Sequence, residues 1–268
     1  MKRENEFKWL NIDGVSALIR PGYGGTIVII PGAMTDAQGW LPVAIALESN
    51  RSIAIINRRG RVPSSDLPRD STVADEVGDV CSLLSHVQPP YILFGWSYGG
   101  LLATEVAKNL DRLDAIVLYE PVCRPFVGDA VEPLWNRIDK GDLDSSVEFI
   151  LAEIGGMSVA HIEALRETDA WHKLRYLATP AAIELSAINR HEPYQEEYAS
   201  ITAPITMIVG SLNEGNEPYG TAANRYLDML NCARRVSLQG QGHLAHLEAP
   251  VQLAETINDI LNEWPAKV

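Results

Sequence analysis

Apolar residues along the chain follow two rhythms. Short runs rich in β-branched residues occupy 7–12, 15–20, 26–30, 52–57, 91–94, 115–119, 205–209 and 235–238. Between them apolar residues recur every three or four positions: Val73, Val77, Val80 and Leu84, then Leu102, Val106 and Leu110, and finally Leu253, Ile257, Ile260 and Trp264. The first rhythm predicts strands and the second core-facing helices, so the stripes carry packing and no chemistry. Asp13-Gly14 between the first two runs suits a tight hairpin turn, and the later alternation implies a mostly parallel sheet covered by helices. From 121 to 203 the alternation stops. Val147, Ile150, Ile154, Ile162, Leu165, Trp171 and Leu174 read as helix only, which predicts a helical cap inserted into a single domain spanning 1–268.

Composition narrows the function classes. With 268 residues, 46% hydrophobic and 21% charged, the chain can bury a full core. Its net charge of −13 disfavours nucleic acid and anionic membrane surfaces as partners. Cys81, Cys123 and Cys232 form neither a disulfide framework nor a zinc spacing, so a reducing cytoplasm is expected. No apolar run follows Lys2-Arg3 as in a signal peptide, and the longest apolar stretches, such as 40–47, are too short to span a bilayer.

The chemistry concentrates where the run at 91–94 meets Gly95-Trp96-Ser97-Tyr98-Gly99-Gly100 and a helix pattern follows at once. A serine in G-x-S-x-G between strand and helix sits on a sharp bend that projects its hydroxyl from the sheet edge. Such a hydroxyl needs a base and an oxyanion site. His243, in the loop after the last strand, is the candidate base, with His246 as a competitor. The backbone amides of Tyr98 and of Ala33 (or Met34), in Pro31-Gly32-Ala33-Met34, are the candidate oxyanion donors. Met34, Trp96, Trp135 and Trp171 are candidate substrate-binding residues. No metal or cofactor is implied: the two histidines lack a nearby third ligand, and although Gly240-Gln241-Gly242-His243-Leu244-Ala245 matches G-x-G-x-x-A, too little chain follows to complete a βαβ unit.

As a set, these pieces resemble the α/β-hydrolase superfamily over nearly the whole length. Ile29-Ile30-Pro31-Gly32 resembles the family's strand and His-Gly, Asn57-Arg58-Arg59-Gly60-Arg61 its Asp-x-Arg-Gly-x-Gly turn, and Gly242-His243 with Leu247-Glu248-Ala249-Pro250 its closing loop and helix. Tyr119-Glu120-Pro121 is similar to a segment of small bacterial hydrolases. The resemblance implies an α/β fold with a mostly parallel sheet, an N-terminal antiparallel hairpin and a helical cap. It also implies a serine hydrolase acting on an ester or related acyl bond of a small-molecule substrate. Two departures stand out: Pro31 replaces the usual His, and the usual position of the triad acid holds Asn213. Some relatives place the acid at the end of the preceding strand, which selects Glu120, with Glu214 or Asn213 as alternatives. Carbon–carbon hydrolysis, lactone or ring formation, and non-catalytic binding remain open.

Overall fold

The computed structural model describes residues 6–230 and 233–264, so the expectations that fall on 1–5 and on Cys232 lie outside the described residues. Among the described residues eight strands form one sheet: β1 (Lys8–Ile12), β2 (Val15–Arg20), β3 (Thr26–Ile30), β4 (Ser52–Asn57), β5 (Tyr91–Trp96), β6 (Leu113–Tyr119), β7 (Ile205–Gly210) and β8 (Ala233–Leu238). Their order is β1-β2-β4-β3-β5-β6-β7-β8, with β2 antiparallel to β1 and β4 and every other pair parallel. Asp13 and Gly14 both adopt positive φ, 44° and 86°, as the tight β1–β2 turn requires. β5 runs two residues beyond the expected 91–94, because Gly95 and Trp96 continue pairing with Leu118 and Tyr119 of β6. The glycine that signals a turn is still part of the ladder.

The strand runs are continuously apolar because both sheet faces are covered. Val28, Ile30, Ala54, Ile56 and Leu93 point into one core with the helices α2 (Val73–Leu84) and α3 (Tyr98–Ala107). Ile27, Ile29, Ile53, Ile55 and Phe94 point into the other, against α1 (Leu41–Ala46) and the C-terminal helix Pro250–Glu263. α2 starts where Thr72 and Asp75 cap each other reciprocally. Its inward face carries Val73, Val80 and Leu84 as the period predicts, with Val77 half-buried, and also buries Glu76 and Asp79. Both carboxylates meet arginines of the loop after β4: Arg58 and Arg59.

Between β6 and β7 the chain is helical: α4 (Val131–Ile138), α5 (Leu143–Phe149), a π-helical turn over Ile150–Ile154, α6 (Val159–Arg166), α7 (Ala170–Arg190) and α8 (Gln195–Ala199). α9 (Tyr219–Met229) follows β7, and α10 (Ala245–Glu248) and α11 (Pro250–Glu263) close the fold. Among the described residues no helix is long and apolar enough to cross a membrane.

Candidate active site

Crossovers leave β3 toward β4 on one side, while β5 continues toward β6 on the other. The loops after β3 and β5 therefore face each other at the carboxyl edge, where open α/β sheets form their crevices. Ser97 occupies the bend between β5 and α3 with φ 55° and ψ −123°, a conformation side chains rarely adopt and one that costs about 1–3 kcal/mol. The surroundings hold it there: Ser97 N–H donates to Tyr119 O at 3.0 Å, and Ser97 O accepts from Gly100 N–H at 2.9 Å and Val122 N–H at 3.3 Å. The flanking glycine is sterically required, since a Cβ on Gly99 would stand 1.9 Å from Ile30 O. Gly32 packs closely against the serine; a Cβ there would lie 2.7 Å from Ser97 Cβ. Tyr98, the first residue of α3, has a backbone N–H without an intrahelical acceptor, at the electropositive end of the helix.

His243 lies across this bend in the loop between β8 and α10. Its Nδ1 is 2.7 Å from Glu120 Oε2. Glu120 directly follows β6, is fully buried, and holds a positive φ of 43° that turns its side chain back toward the site. An isolated carboxylate buried this deeply costs several kcal/mol, whereas each hydrogen bond to a charged group returns about 1.5–3 kcal/mol. Two further donors meet it: Gly210 N–H at 2.8 Å from Oε1, and the Asn213 amide at 3.0 and 2.9 Å from its two oxygens. Asn213 thus stands where the resemblance places an acid but serves as a donor to the Glu120 carboxylate. Glu214 is turned away, with an oxygen 3.2 Å from Arg235 Nη2.

Aromatic groups hold the imidazole. Tyr219 stacks on it, ring centroids 3.5 Å apart and planes 11° apart, and the Tyr219 hydroxyl donates to Ile154 O of the helical insertion at 3.3 Å. Trp96 Nε1 donates to His243 O at 2.9 Å, and the Tyr119 hydroxyl donates to Gly242 O. Burial lowers the His243 pKa below its ordinary 6.5, with Glu120 opposing the shift. His246 has a different environment: it stacks on Trp40, with Trp96 4.2 Å away, and its ring nitrogens have no hydrogen-bond partner among the described residues. Burial, reinforced by His243, pushes its pKa down to about 3. It faces indoles and does not compete with His243 for Glu120.

Ser97 and His243 line one cavity of about 110 Å³ together with Ala33, Met34, Trp96, Tyr98 and Tyr219. The helical insertion contributes Leu134, Ile150, Leu151, Ile154, Met157, Ala181, Leu185 and Ile188, and among the described residues no Asp, Glu, Lys or Arg lines it. Trp135 and Trp171, expected to line the substrate site, do not line this cavity. Trp135 Nε1 donates to Ser186 Oγ at 2.8 Å under the Arg69 guanidinium, and Trp171 Nε1 donates to Asp144 Oδ1 at 2.6 Å. Each indole has a buried face and a polar nitrogen that finds its partner within the helical segment, so both brace helices there. Among the described residues no group of three His, Cys, Asp or Glu side chains is arranged to hold a metal ion.

Other residues around the site have little or no sequence signal. Tyr219 falls outside every motif. Arg58, visible only as part of the Arg-Gly turn, sends Nε to Pro31 O at 2.8 Å and Nη2 to Gly32 O at 2.7 Å, so it anchors the loop in which Pro31 replaces the usual histidine.

Solved structures share this arrangement of strands and helices. An alpha/beta hydrolase from Sphaerobacter thermophilus superposes with a TM-score of 0.77 at 21% identity, covering 95% of this chain and 100% of that one. The enol-lactonase from Burkholderia xenovorans gives 0.75 at 19% identity over 96% and 100% of the two chains, and an esterase from Rhodococcus gives 0.70 at 19% over 97% and 100%. At these identities the likeness is one of fold. The model of the Alpha/beta hydrolase family matches residues 27–256, most of the chain and every strand from β3 onward. By that match, the chain belongs to the alpha/beta hydrolase family.

Proposed function

We propose that the protein is a serine hydrolase that cleaves carboxylic esters of small, uncharged, apolar molecules through an acyl-enzyme. The observation that carries this reading is the 2.7 Å contact between His243 Nδ1 and the buried Glu120, beside the strained bend that places Ser97 in the cavity wall. A proton on Nδ1 is held by the carboxylate, which leaves Nε2 as the basic nitrogen. In the first half-reaction Ser97 Oγ attacks the ester carbonyl carbon and His243 Nε2 takes the hydroxyl proton. The oxyanion is received by the Ala33 and Tyr98 amides. Collapse breaks the bond to the alcohol, which leaves with the proton from His243. Water then attacks the acyl-Ser97 ester, giving its proton to His243, and the acid departs as Ser97 is regenerated. Glu120 stabilises the imidazolium in both halves. Cyclic esters pass through the same steps.

The lining supports the substrate class. A charged substrate entering this cavity would lose hydration with no ionic partner to replace it, at a cost of several kcal/mol, whereas each buried CH₂ contributes about 0.8 kcal/mol. The net charge of −13 adds a long-range penalty for anions. The free thiols of Cys81 and Cys123 suit the reducing cytoplasm, where we place this activity.

The test is a panel of p-nitrophenyl esters, from acetate to octanoate, with the hemisuccinate as the anionic member. We expect kcat/KM for neutral acyl chains to exceed that for the hemisuccinate by at least about tenfold, and Ser97→Ala to lower turnover by about 10³-fold or more without altering the thermal transition. A Ser97→Ala protein that keeps near-normal turnover removes the serine mechanism, and no turnover of any ester by the wild type favours a non-catalytic binder.

A further inference from the structure

Deep in the carboxyl edge of the sheet, four charged side chains are almost completely buried: Arg58, Arg61, Glu76 and Glu184. Arg58 Nη1 lies 2.6 Å from Glu76 Oε2 on α2 and 2.9 Å from Glu184 Oε1 on α7, and Arg61 Nη1 contacts the same Glu184 oxygen. With both carboxyls ionised the two arginines and two glutamates sum to no net charge; burial pushes the Glu76 carboxyl up, and Arg58 opposes that shift. Burial opposes the Arg58 charge, but Glu184 and Glu76 outweigh it and raise its pKa further, so it stays ionised. A four-charge cluster inside a protein is seldom more stabilising than a hydrophobic replacement of equal volume, so stability alone gives a weak reason for it.

The remaining contacts of Arg58 indicate what the cluster does. Its Nη2 donates to Gly32 O at 2.7 Å, its Nε donates to Pro31 O at 2.8 Å, and its guanidinium carbon lies 5.0 Å above the Tyr98 ring. Gly32 C=O and Ala33 N–H belong to one planar trans peptide, in which the two groups point in opposite directions. A cation fixed on the carbonyl therefore sets the direction of the amide, and a hydrogen bond at one end of a peptide strengthens the donor at the other. Gly32 packs on Ser97, and Ala33 lines the cavity. We infer that Arg58 is a positioning residue of the oxyanion site. It acts through the Gly32–Ala33 peptide, with Glu184 holding it to α7 so that the helical insertion and the oxyanion donor are set as one unit. This inference rests on the proposed serine chemistry.

Lysine retains the charge but has no planar fork to span two carbonyls and two carboxylates, so Arg58→Lys is the informative change. The experiment measures ester hydrolysis, Ser97 phosphonylation by a fluorophosphonate, and binding of a trifluoromethyl ketone, which forms a tetrahedral adduct on the serine, against its methyl ketone counterpart. For Arg58→Lys we expect kcat and the phosphonylation rate to fall about 10- to 100-fold, less than the 10²–10³ lost when an oxyanion donor is removed outright. KM and methyl ketone affinity should stay within threefold, while trifluoromethyl ketone affinity falls in step with kcat. A simple staple of the fold would lower thermal stability without that selectivity. If Arg58→Lys fails to fold, Glu184→Gln keeps Arg58 paired with Glu76 and should slow phosphonylation about threefold to tenfold. An unchanged rate in a folded Arg58→Lys protein, or in Glu184→Gln when that is the variant that folds, overturns the inference. Absence of any adduct on the wild type instead removes the serine chemistry beneath it.

Discussion

Two buried polar clusters flank Ser97. On one side Glu120 is a single anion met by neutral donors: the imidazole, the Gly210 amide and the Asn213 side chain. On the other side Arg58, Arg61, Glu76 and Glu184 balance their own charges and reach the cavity only through a backbone peptide. In the proposed reaction the first arrangement sets a negative charge beside an imidazole that would become cationic, and so would favour the charged transition state. The second is indifferent to the proton on His243 but fixes where an oxyanion is received. What differs is whether the remaining charge faces the reacting groups.

The sharpest way to break this comparison is to neutralise the lone anion. Glu120→Gln keeps the shape and the acceptor but removes the charge, and kcat should fall by about 10²–10⁴ with little change in KM. A fall below threefold would mean that Glu120 is not the support of His243. The loss expected for Arg58→Lys is smaller, because that cluster acts at one remove. Smaller again is the effect of Asn213→Asp, which places a second carboxylate against Glu120 and replaces a donor by an acceptor. Like charges at this distance raise one another's pKa. Activity at pH 8 should therefore drop about threefold to tenfold, with partial recovery as the pH is lowered toward 6 and the pair holds a shared proton. Equal activity at both values would show that Asn213 contributes only a neutral hydrogen bond.

The strands and the elbow were legible because each depends on local pattern: unbroken β-branched runs for a sheet covered on both faces, and glycines packed where Gly99 meets the Ile30 carbonyl. Glu120 was legible only through resemblance, since nothing between residues 120 and 243 signals that they meet. Asn213 illustrates the limit. Its spacing after Gly210 marks the right place, but its chemistry as a donor to Glu120 emerges only when β6 and β7 lie side by side. Trp135 and Trp171 mark the opposite case: an aromatic side chain in a helical segment suggests a substrate wall, while both indoles find partners within that segment and Leu134, one residue away from Trp135, lines the cavity. The Arg58–Glu184 pair spans 126 positions, beyond the reach of any periodicity.

The most direct measurement of the central claim is the pH dependence of fluorophosphonate labelling, followed by intact mass and peptide mapping. Below its pKa His243 carries a second proton and cannot act as a base. Burial lowers that pKa, so the acid limb of the labelling rate moves below the ordinary histidine value of 6.5. The account predicts a single adduct, on Ser97, whose rate falls with a midpoint below 6.5. An adduct on another residue, no adduct at all, or a rate that stays constant as the pH falls through that range would contradict it.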